Sequence, residues 1–253
     1  MLISENKTVA SNEWFSTWFN SPYYHILYEE RDENEAAMFI KALQKKLKLP
    51  TGSLVLDAAC GKGRHAKTLF DAGFRVEAYD LSDANIQEAK KMETEGLKFF
   101  QQDMRNPLPI LNHYDIAFNF FTSFGYFANP EENQLAFYRF HQGIKKGGLF
   151  VLDFFNPTFV LSTLVPQETI VKGGITFQIK RFAEGGYLYK TIDFSDKGQD
   201  FHFEEKVEII TKSAFMEYAT MAGFQTIDLL GDYQLNAFDE KSSPRMIFFW
   251  AKQ

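Results

Sequence analysis

Apolar residues in this chain form short runs that alternate with stretches of helical periodicity. One helical stretch covers 34–47, and the sequence KLPTG ends it. Further along, the predicted strands are 53–60, 74–80, 97–103, 114–121 and 149–155, and the predicted helices are 63–73, 83–96 and 130–148. Strands that alternate with helices indicate a parallel sheet with right-handed crossovers, so the predicted fold class is α/β.

The pattern changes after Pro157. Between 168 and 210, the turn signals GG, EGG and DKG separate runs that are rich in Ile, Phe, Tyr and Thr. Such spacing predicts an antiparallel meander of about four strands. A helix at 212–223 and strands at 224–230 and 245–252 follow. The meander is therefore an insertion within one α/β domain and not an independent domain.

Composition narrows the classes of function. The chain has 253 residues, of which 45% are hydrophobic and 24% are charged, as expected of a soluble globular protein. Its net charge of −6 comes without a basic stripe, which argues against a nucleic-acid partner. No apolar run approaches membrane-spanning length, the start does not resemble a leader, and Cys60 is the single cysteine. We therefore expect a cytoplasmic protein with no membrane partner.

The stretch VLDAACGKGRHA, residues 55–66, carries a glycine turn after a predicted strand. From Gly61 to Ala66 it fits G-x-G-x-x-G/A, a pattern of several nucleotide binders, and Asp80 follows at a distance suited to ribose hydroxyls. A dinucleotide would place its pyrophosphate here, where the carboxylate of Asp57 would repel it. A ligand with a sulfonium and an ammonium group would be attracted instead.

Four motifs in order, VLDAACGKG, EAYDLS, FFQQDMRNPLP and YDIAFNFFTSFGYF, resemble the class I S-adenosylmethionine-dependent methyltransferases of small-molecule type. The resemblance covers nearly the whole chain. It implies a doubly wound, Rossmann-like sheet of seven mostly parallel strands whose last strand is antiparallel. Within a single domain, 1–253, we expect an N-terminal helical cap in 1–50 and the meander as an inserted β lid in 168–210.

The resemblance also implies a set of cofactor contacts. Tyr24 and Arg31 belong to a Y-x-x-x-Y-x-x-R pattern, and Arg31 would pair with the methionine carboxylate. The glycine turn would surround the methionine part, Asp80 would hold the ribose, and Asp103 would accept the adenine amino group. The full set is Tyr24, Arg31, Asp57, Ala59, Gly61, Gly63, Asp80, Leu81, Asp103, Met104 and Phe120. The cofactor would be S-adenosylmethionine and the product S-adenosylhomocysteine.

The acceptor side is less defined by the sequence. Tyr126, Asp153 and Asn156 are candidates for substrate binding, and Asp153 and His202 are candidates for a general base. The motif NFFT at 119–122 lacks the double proline of N-P-P-Y, the motif used on nucleic-acid bases, so a small-molecule acceptor is expected. We expect the meander to cover the donor methyl opposite the Tyr24 segment; the alternative is an oligomerisation surface.

Two other functions share part of this pattern. An NAD-dependent oxidoreductase would share the glycine turn, but Asp57 and the terminal pair of strands oppose it. A non-catalytic regulator that binds S-adenosylmethionine fits because no catalytic base stands out. The five histidines show no metal-ligand spacing, so no metal is expected. The sequence leaves open the acceptor, the methylated atom and the choice between monomer and homodimer.

Overall fold

The computed structural model describes residues 18–28, 33–127 and 129–253. In chain order the helices are α1 (Pro22–Leu27), α2 (Glu33–Leu47), α3 (Arg64–Asp71), α4 (Asp83–Ala89), α5 (Pro130–Gly143), α6 (Pro157–Ser162) and α7 (Lys212–Ala222). The strands are β1 (Leu54–Ala58), β2 (Arg75–Asp80), β3 (Leu97–Gln101), β4 (Tyr114–Asn119), β5 (Ile144–Phe155), β6 (Gln167–Lys172), β7 (Ile175–Glu184), β8 (Tyr187–Asp196), β9 (Gln199–Glu208), β10 (Phe224–Leu230) and β11 (Arg245–Lys252). A short 3₁₀ turn, Lys90–Met92, follows α4.

The central sheet has seven strands in the order β10-β11-β5-β4-β1-β2-β3. β1 to β5 are parallel to one another, whereas β11 is antiparallel to both β5 and β10. All five residues of β1 are buried, as expected where helices cover both faces of a sheet. The predicted α/β fold with a final antiparallel strand is confirmed.

A second sheet, β6-β7-β8-β9, is antiparallel throughout and confirms the inserted meander. Alternate residues of β7 are buried, the pattern of a sheet with one covered face. That face packs against the N-terminal segment, with Trp18 and Leu27 beside Phe177 and Ile192. The expectation that the Tyr24 segment lies opposite the meander is therefore wrong, because apolar burial holds the two together.

Two of the predicted helices end earlier in the structure than the sequence pattern indicates. The helix predicted over 130–148 ends at Gly143, because the buried Ile144 has extended dihedral angles and pairs with Tyr114 of β4. The helix predicted over 83–96 ends at Ala89, where the 3₁₀ turn begins. No helix in the described ranges combines the length and the apolar character that crossing a bilayer requires.

Candidate active site

A cavity of about 1130 Å³ opens at the carboxyl ends of β1, β2 and β4. This edge is where open α/β sheets bind ligands. The side built from strand ends and their loops, here called the strand-end wall, comprises Asp57, Ala59, Gly61, Asp80, Leu81 and Phe120. The opposing side, here called the lid wall, comprises Phe19, Tyr24, His25, Ile26, Tyr28 and Glu205. The predicted residues Asp103, Met104 and Tyr126 also line the cavity.

Asp57 at the end of β1 is a buried carboxylate with unsatisfied hydrogen-bonding capacity. Its side chain accepts a hydrogen bond from the backbone of Ala66 in the first turn of α3. Its Oδ2 atom is buried and has no hydrogen-bond partner. Burial, and secondly the charge of Asp80, raise the pKa of Asp57 to about 8. A cation bound next to Asp57 would lower this pKa again, because it would stabilise the charged carboxylate against burial and against the charge of Asp80.

Asp80 organises the turn as well as lining the cavity. One of its carboxylate oxygens accepts the backbone N–H of Gly61 at 2.8 Å, and the other accepts that of Ser82 at 2.9 Å. Burial raises the pKa of Asp80, and these backbone N–H groups oppose the rise. The carboxylate is therefore held in one orientation before any ligand arrives.

The two predicted glycines have different roles. At Gly61 an added Cβ would meet no protein atom within 4 Å, and the residue lines the cavity. At Gly63 an added Cβ would lie 2.6 Å from Cε1 of Phe99, and the residue has a φ of +83°. Gly63 does not line the cavity. Its role is to let the start of α3 pack against β3.

Asp103 lines the cavity, but its carboxylate is already paired. Arg105 donates to both carboxylate oxygens, at 2.7 Å from Nη2 and 3.0 Å from Nε, and it also contacts Glu132 at 2.7 Å. Asp103 and Arg105 are both buried. The sequence analysis missed Arg105, although its position two residues after Asp103 was visible.

The loop after β4 is strained. Phe121 and Thr122 have φ angles of +56° and +61°, a conformation that is unusual for aromatic and β-branched residues. Asp153 holds this loop: its Oδ2 accepts the backbone N–H of Phe121 at 2.8 Å, and its Oδ1 accepts Nε of Arg245 at 2.7 Å. The hydroxyl of Tyr233 also donates to Oδ2. The strain is therefore maintained by a buried polar network.

This network corrects the roles considered for three residues. Asp153 is fully buried and does not line the cavity, so the structure does not place it as a base. Asn156 is the N-cap of α6 and donates to the carbonyls of Glu240 and Ser243, a structural role. His202 is exposed on β9, next to Asp193 and away from the cavity. Arg31 lies outside the described residues.

The lid wall depends on side-chain contacts that the sequence analysis did not find. Glu205 of β9 accepts hydrogen bonds at Oε1 from Nε1 of Trp18, at 2.8 Å, and from the hydroxyl of Tyr28, at 2.5 Å. Lys190 of β8 donates to the Tyr28 hydroxyl, and its ammonium lies 4.4 Å from the centroid of the Tyr28 ring. The signal available in the sequence was limited to alternation along β9, where Phe201, Phe203 and Glu205 share a face.

Comparison with known proteins agrees with this geometry. Residues 55–148 match the family model described as a methyltransferase domain. A solved S-adenosylmethionine-dependent methyltransferase from Clostridium acetobutylicum ATCC 824 has the same fold, with a TM-score of 0.76 at 20% identity over 91% of this chain and 96% of that one. Residues 55–148 therefore match a methyltransferase domain, and the chain shares the fold of a solved S-adenosylmethionine-dependent methyltransferase.

Two further proteins that this chain is similar to are named for their substrates. The glycine/sarcosine N-methyltransferase of Aphanothece halophytica is 25% identical over 215 residues, which cover 83% of this chain and 78% of that protein. The structure of CalS10 with bound S-adenosylmethionine, described as an amino pentose methyltransferase from Micromonospora echinaspora, has a TM-score of 0.70 at 19% identity over 92% of this chain and 98% of that one.

The cavity residues fit S-adenosylmethionine. The buried, unpartnered Oδ2 of Asp57 suits a cationic group, and the open space over Gly61 admits a ligand against the backbone. Asp80 keeps acceptor capacity for hydroxyl groups, because each oxygen takes only a few of the hydrogen bonds it can accept. Within the described ranges, no group of three or more His, Cys, Asp or Glu side chains is placed to hold a metal ion.

Proposed function

We propose that this protein transfers the methyl group of S-adenosylmethionine to a small-molecule acceptor inside the cavity. The observation that carries the proposal is the buried carboxylate of Asp57, which has one oxygen unpartnered and a pKa of about 8 at the cavity surface. When bound, the cofactor would supply a methyl group on a sulfonium: an acceptor atom with a lone pair would bond to the methyl carbon as the carbon–sulfur bond breaks, which leaves S-adenosylhomocysteine. A small acceptor is supported by the lid wall, which faces the strand-end wall, and by relatives named for glycine and for an amino pentose.

In this proposal, the residues of the chain bind S-adenosylmethionine and orient its methyl group. Asp57 attracts the cationic methionine part, and Asp80 accepts the ribose hydroxyls from an orientation that Gly61 and Ser82 fix. Leu81, Asp103 and Met104 surround the adenine. Phe120 lies at the end of β4, beside the donor methyl. Positioning of this kind supplies much of the acceleration in a displacement reaction.

Calorimetric titration at pH 7 tests the role of Asp57. Because the pKa of Asp57 is about 8, its carboxyl group is mostly protonated at pH 7, and binding of a cation should expel the proton. Titration with S-adenosylmethionine in two buffers of different ionisation enthalpy should show proton release for the unmodified protein and none for Asp57→Asn. NAD should give no heat. Binding of NAD with no response to S-adenosylmethionine would refute the proposal.

A second measurement separates an enzyme from a cofactor-binding regulator. The protein is incubated with methyl-labelled S-adenosylmethionine and a panel of small amines and alcohols, and label in the product is counted. Transfer that disappears in Asp57→Asn identifies an enzyme. Tight cofactor binding without transfer to any member of the panel would favour the regulator.

A further inference from the structure

Glu205 is an acidic side chain on the lid wall that the cofactor contacts leave unused. The other carboxylates that line the cavity, Asp57, Asp80, Glu88 and Asp103, come from the ends of the strands and the elements that follow them. Glu205 instead comes from β9 of the inserted sheet. It therefore faces the cavity from the lid wall and not from the strand ends, where Asp57 and Asp80 are proposed to hold the cofactor.

The two oxygens of Glu205 have different environments. Oε1 accepts the hydrogen bonds from Trp18 and Tyr28, which fix the orientation of the carboxylate. Oε2 has the ammonium of Lys190 at 3.9 Å, beyond hydrogen-bond length, and no hydrogen bond in the part of the chain that the structure describes. The side chain is 18% exposed. One oxygen therefore anchors the group, while the other keeps its acceptor capacity.

A connected series of aromatic rings begins at Tyr28, whose hydroxyl bonds this carboxylate. The rings of Tyr24 and Tyr28 are 4.8 Å apart between centroids, those of Phe19 and Tyr24 are 5.1 Å apart, and those of Phe19 and Tyr126 are 5.6 Å apart. All four residues line the cavity. Aromatic faces attract cations, and they do so most strongly where water is excluded.

Apart from Glu205, the described residues of the lid wall present no charged group to the cavity. His25 lines the cavity, but burial, and secondly the charge of Lys62, lower its pKa from 6.5. It is therefore neutral at neutral pH. Lys190 does not line the cavity, since its ammonium is held on the hydroxyl and ring of Tyr28. Glu205 is thus the charged group that the lid wall presents among its described residues.

We propose that Glu205 is the acceptor-binding residue and that the acceptor is a small organic amine, whose ammonium group binds Oε2 beside the aromatic rings of the lid wall. Because a protonated nitrogen has no lone pair, this ammonium passes one proton to Oε2 or to solvent before its nitrogen bonds to the methyl carbon. A neutral hydroxyl would use the hydrogen bond but gain little from the rings or the charge. An acidic acceptor would be repelled. This inference rests on the proposed function, because it takes the strand-end wall to be filled by the cofactor.

Ligand-observed NMR in the presence of S-adenosylhomocysteine tests the proposal. The probes are matched sets of an amine, the corresponding alcohol and the corresponding carboxylate, beginning with benzylamine, benzyl alcohol and benzoate. We expect the amines to bind about tenfold or more tightly than their alcohols, the scale of a charge-assisted hydrogen bond. If no amine binds more tightly than its alcohol, the proposal is wrong.

Two variants and a control test whether the preference for amines depends on Glu205. Glu205→Gln retains an oxygen for Trp18 and Tyr28 but should remove the preference for amines, whereas Lys190→Met, which removes a competing cation, should increase it. Glu204→Gln, on the exposed neighbouring position of the same strand, should change nothing. An amine preference that survives in Glu205→Gln would overturn the assignment. Circular dichroism and the melting temperature confirm that each variant is folded.

Calorimetry with S-adenosylmethionine keeps the two proposals distinguishable. Glu205→Gln should bind the cofactor as the unmodified protein does, because Glu205 lies on the lid wall. If the unmodified protein does not bind S-adenosylmethionine, the proposed function fails. If it binds the cofactor but shows no preference for amines, only the acceptor assignment fails.

Discussion

The two walls of the cavity are positioned by different forces. On the strand-end wall, Asp57 and Asp80 end neighbouring parallel strands, and the backbone ladder between β1 and β2 fixes their separation. On the lid wall, Glu205 meets Trp18 and Tyr28 through side-chain hydrogen bonds between distant segments. The first wall inherits the rigidity of a buried sheet. The second depends on a few polar contacts and on the apolar cluster between α1 and the inserted sheet.

The difference predicts where substitutions cost stability. Changes that disturb the strand-end wall should lower the free energy of unfolding of the whole domain, because they reach the buried sheet. Changes on the lid wall should act locally, since they remove single hydrogen bonds.

The largest loss of stability is expected on substitution of Asp153, which holds the loop after β4 that adjoins the strand-end wall. Asp153→Ala leaves Arg245, the N–H of Phe121 and the hydroxyl of Tyr233 without their shared acceptor. Loss of one partner of a buried charge pair should lower the free energy of unfolding by about 3–5 kcal/mol. Urea denaturation measures it. A loss below about 1 kcal/mol would show that the strained loop does not depend on Asp153.

The next effect depends on pH and arises from Asp57. Its pKa is about 8 in the folded protein against 3.8 for the ordinary group, so the folded state holds a proton that the unfolded state loses above pH 4. Without cofactor, stability should therefore fall as pH rises from about 4 to 8. Relative to Asp57→Asn, the fall should be at least about 1.4 kcal/mol, the value of one pKa unit. Parallel pH profiles of the two proteins would contradict this.

The glycine turn allows a matched pair of substitutions. Gly63→Ala brings a methyl group against the ring of Phe99 and should cost about 1–3 kcal/mol, as overpacking does. At Gly61, which has a φ of +56°, an added Cβ meets no protein atom, so Gly61→Ala should cost only the backbone strain of about 1 kcal/mol and should weaken binding of S-adenosylmethionine. Thermal unfolding and calorimetry together separate the two. Equal losses of stability would mean that the turn is uniformly strained.

A smaller effect is expected on the lid wall. Tyr28→Phe removes the hydroxyl between Lys190 and Glu205, and it should cost about 1 kcal/mol. Tyr23→Phe is the control, because that hydroxyl bonds Asp196 at the far end of β8. Tyr28→Phe should also increase the protease sensitivity of the segment around α1. A cost as large as that of Asp153→Ala would remove the distinction between the two walls.

The smallest effect is expected at His202. Its ring is exposed on the face of β9 that does not contact α1, and it pairs with Asp193 of β8. His202→Ala should change the free energy of unfolding by no more than about 0.5 kcal/mol, the usual range for surface positions. Methyl transfer should be unchanged. A strong loss of transfer in a folded variant would return His202 to the list of candidate bases.

How far the sequence predicted each wall follows from the same difference. The strand-end wall was predicted because hydrophobic runs locate strand ends, and the residues at those ends converge in any parallel sheet. For the lid wall, a cap with Tyr24 and an inserted β lid were predicted, but the contact between them was not, because Trp18 and Glu205 are separated by 187 positions and no local pattern links them. Asp153 lies between these two cases, because its position could be predicted from the sequence but its contacts could not. Its place at the end of β5 was predictable, but its partner Arg245 is 92 positions further along the chain, so its supporting role was not.

The long-range contact between Trp18 and Glu205 also sets an order of assembly. A ribosome releases the chain from its N-terminal end, and domains fold as the necessary segments emerge. The Trp18 indole therefore has no Glu205 partner until β9 is synthesised, whereas β1 to β4 and the glycine turn have by then already left the ribosome. During synthesis, β1 to β4 can therefore pair before the cavity is closed, whereas the loop that Arg245 holds is completed only after β9 has emerged. A nascent chain arrested before β9 should consequently expose the apolar side chains of Trp18 and Leu27, which makes this segment a natural contact for chaperones.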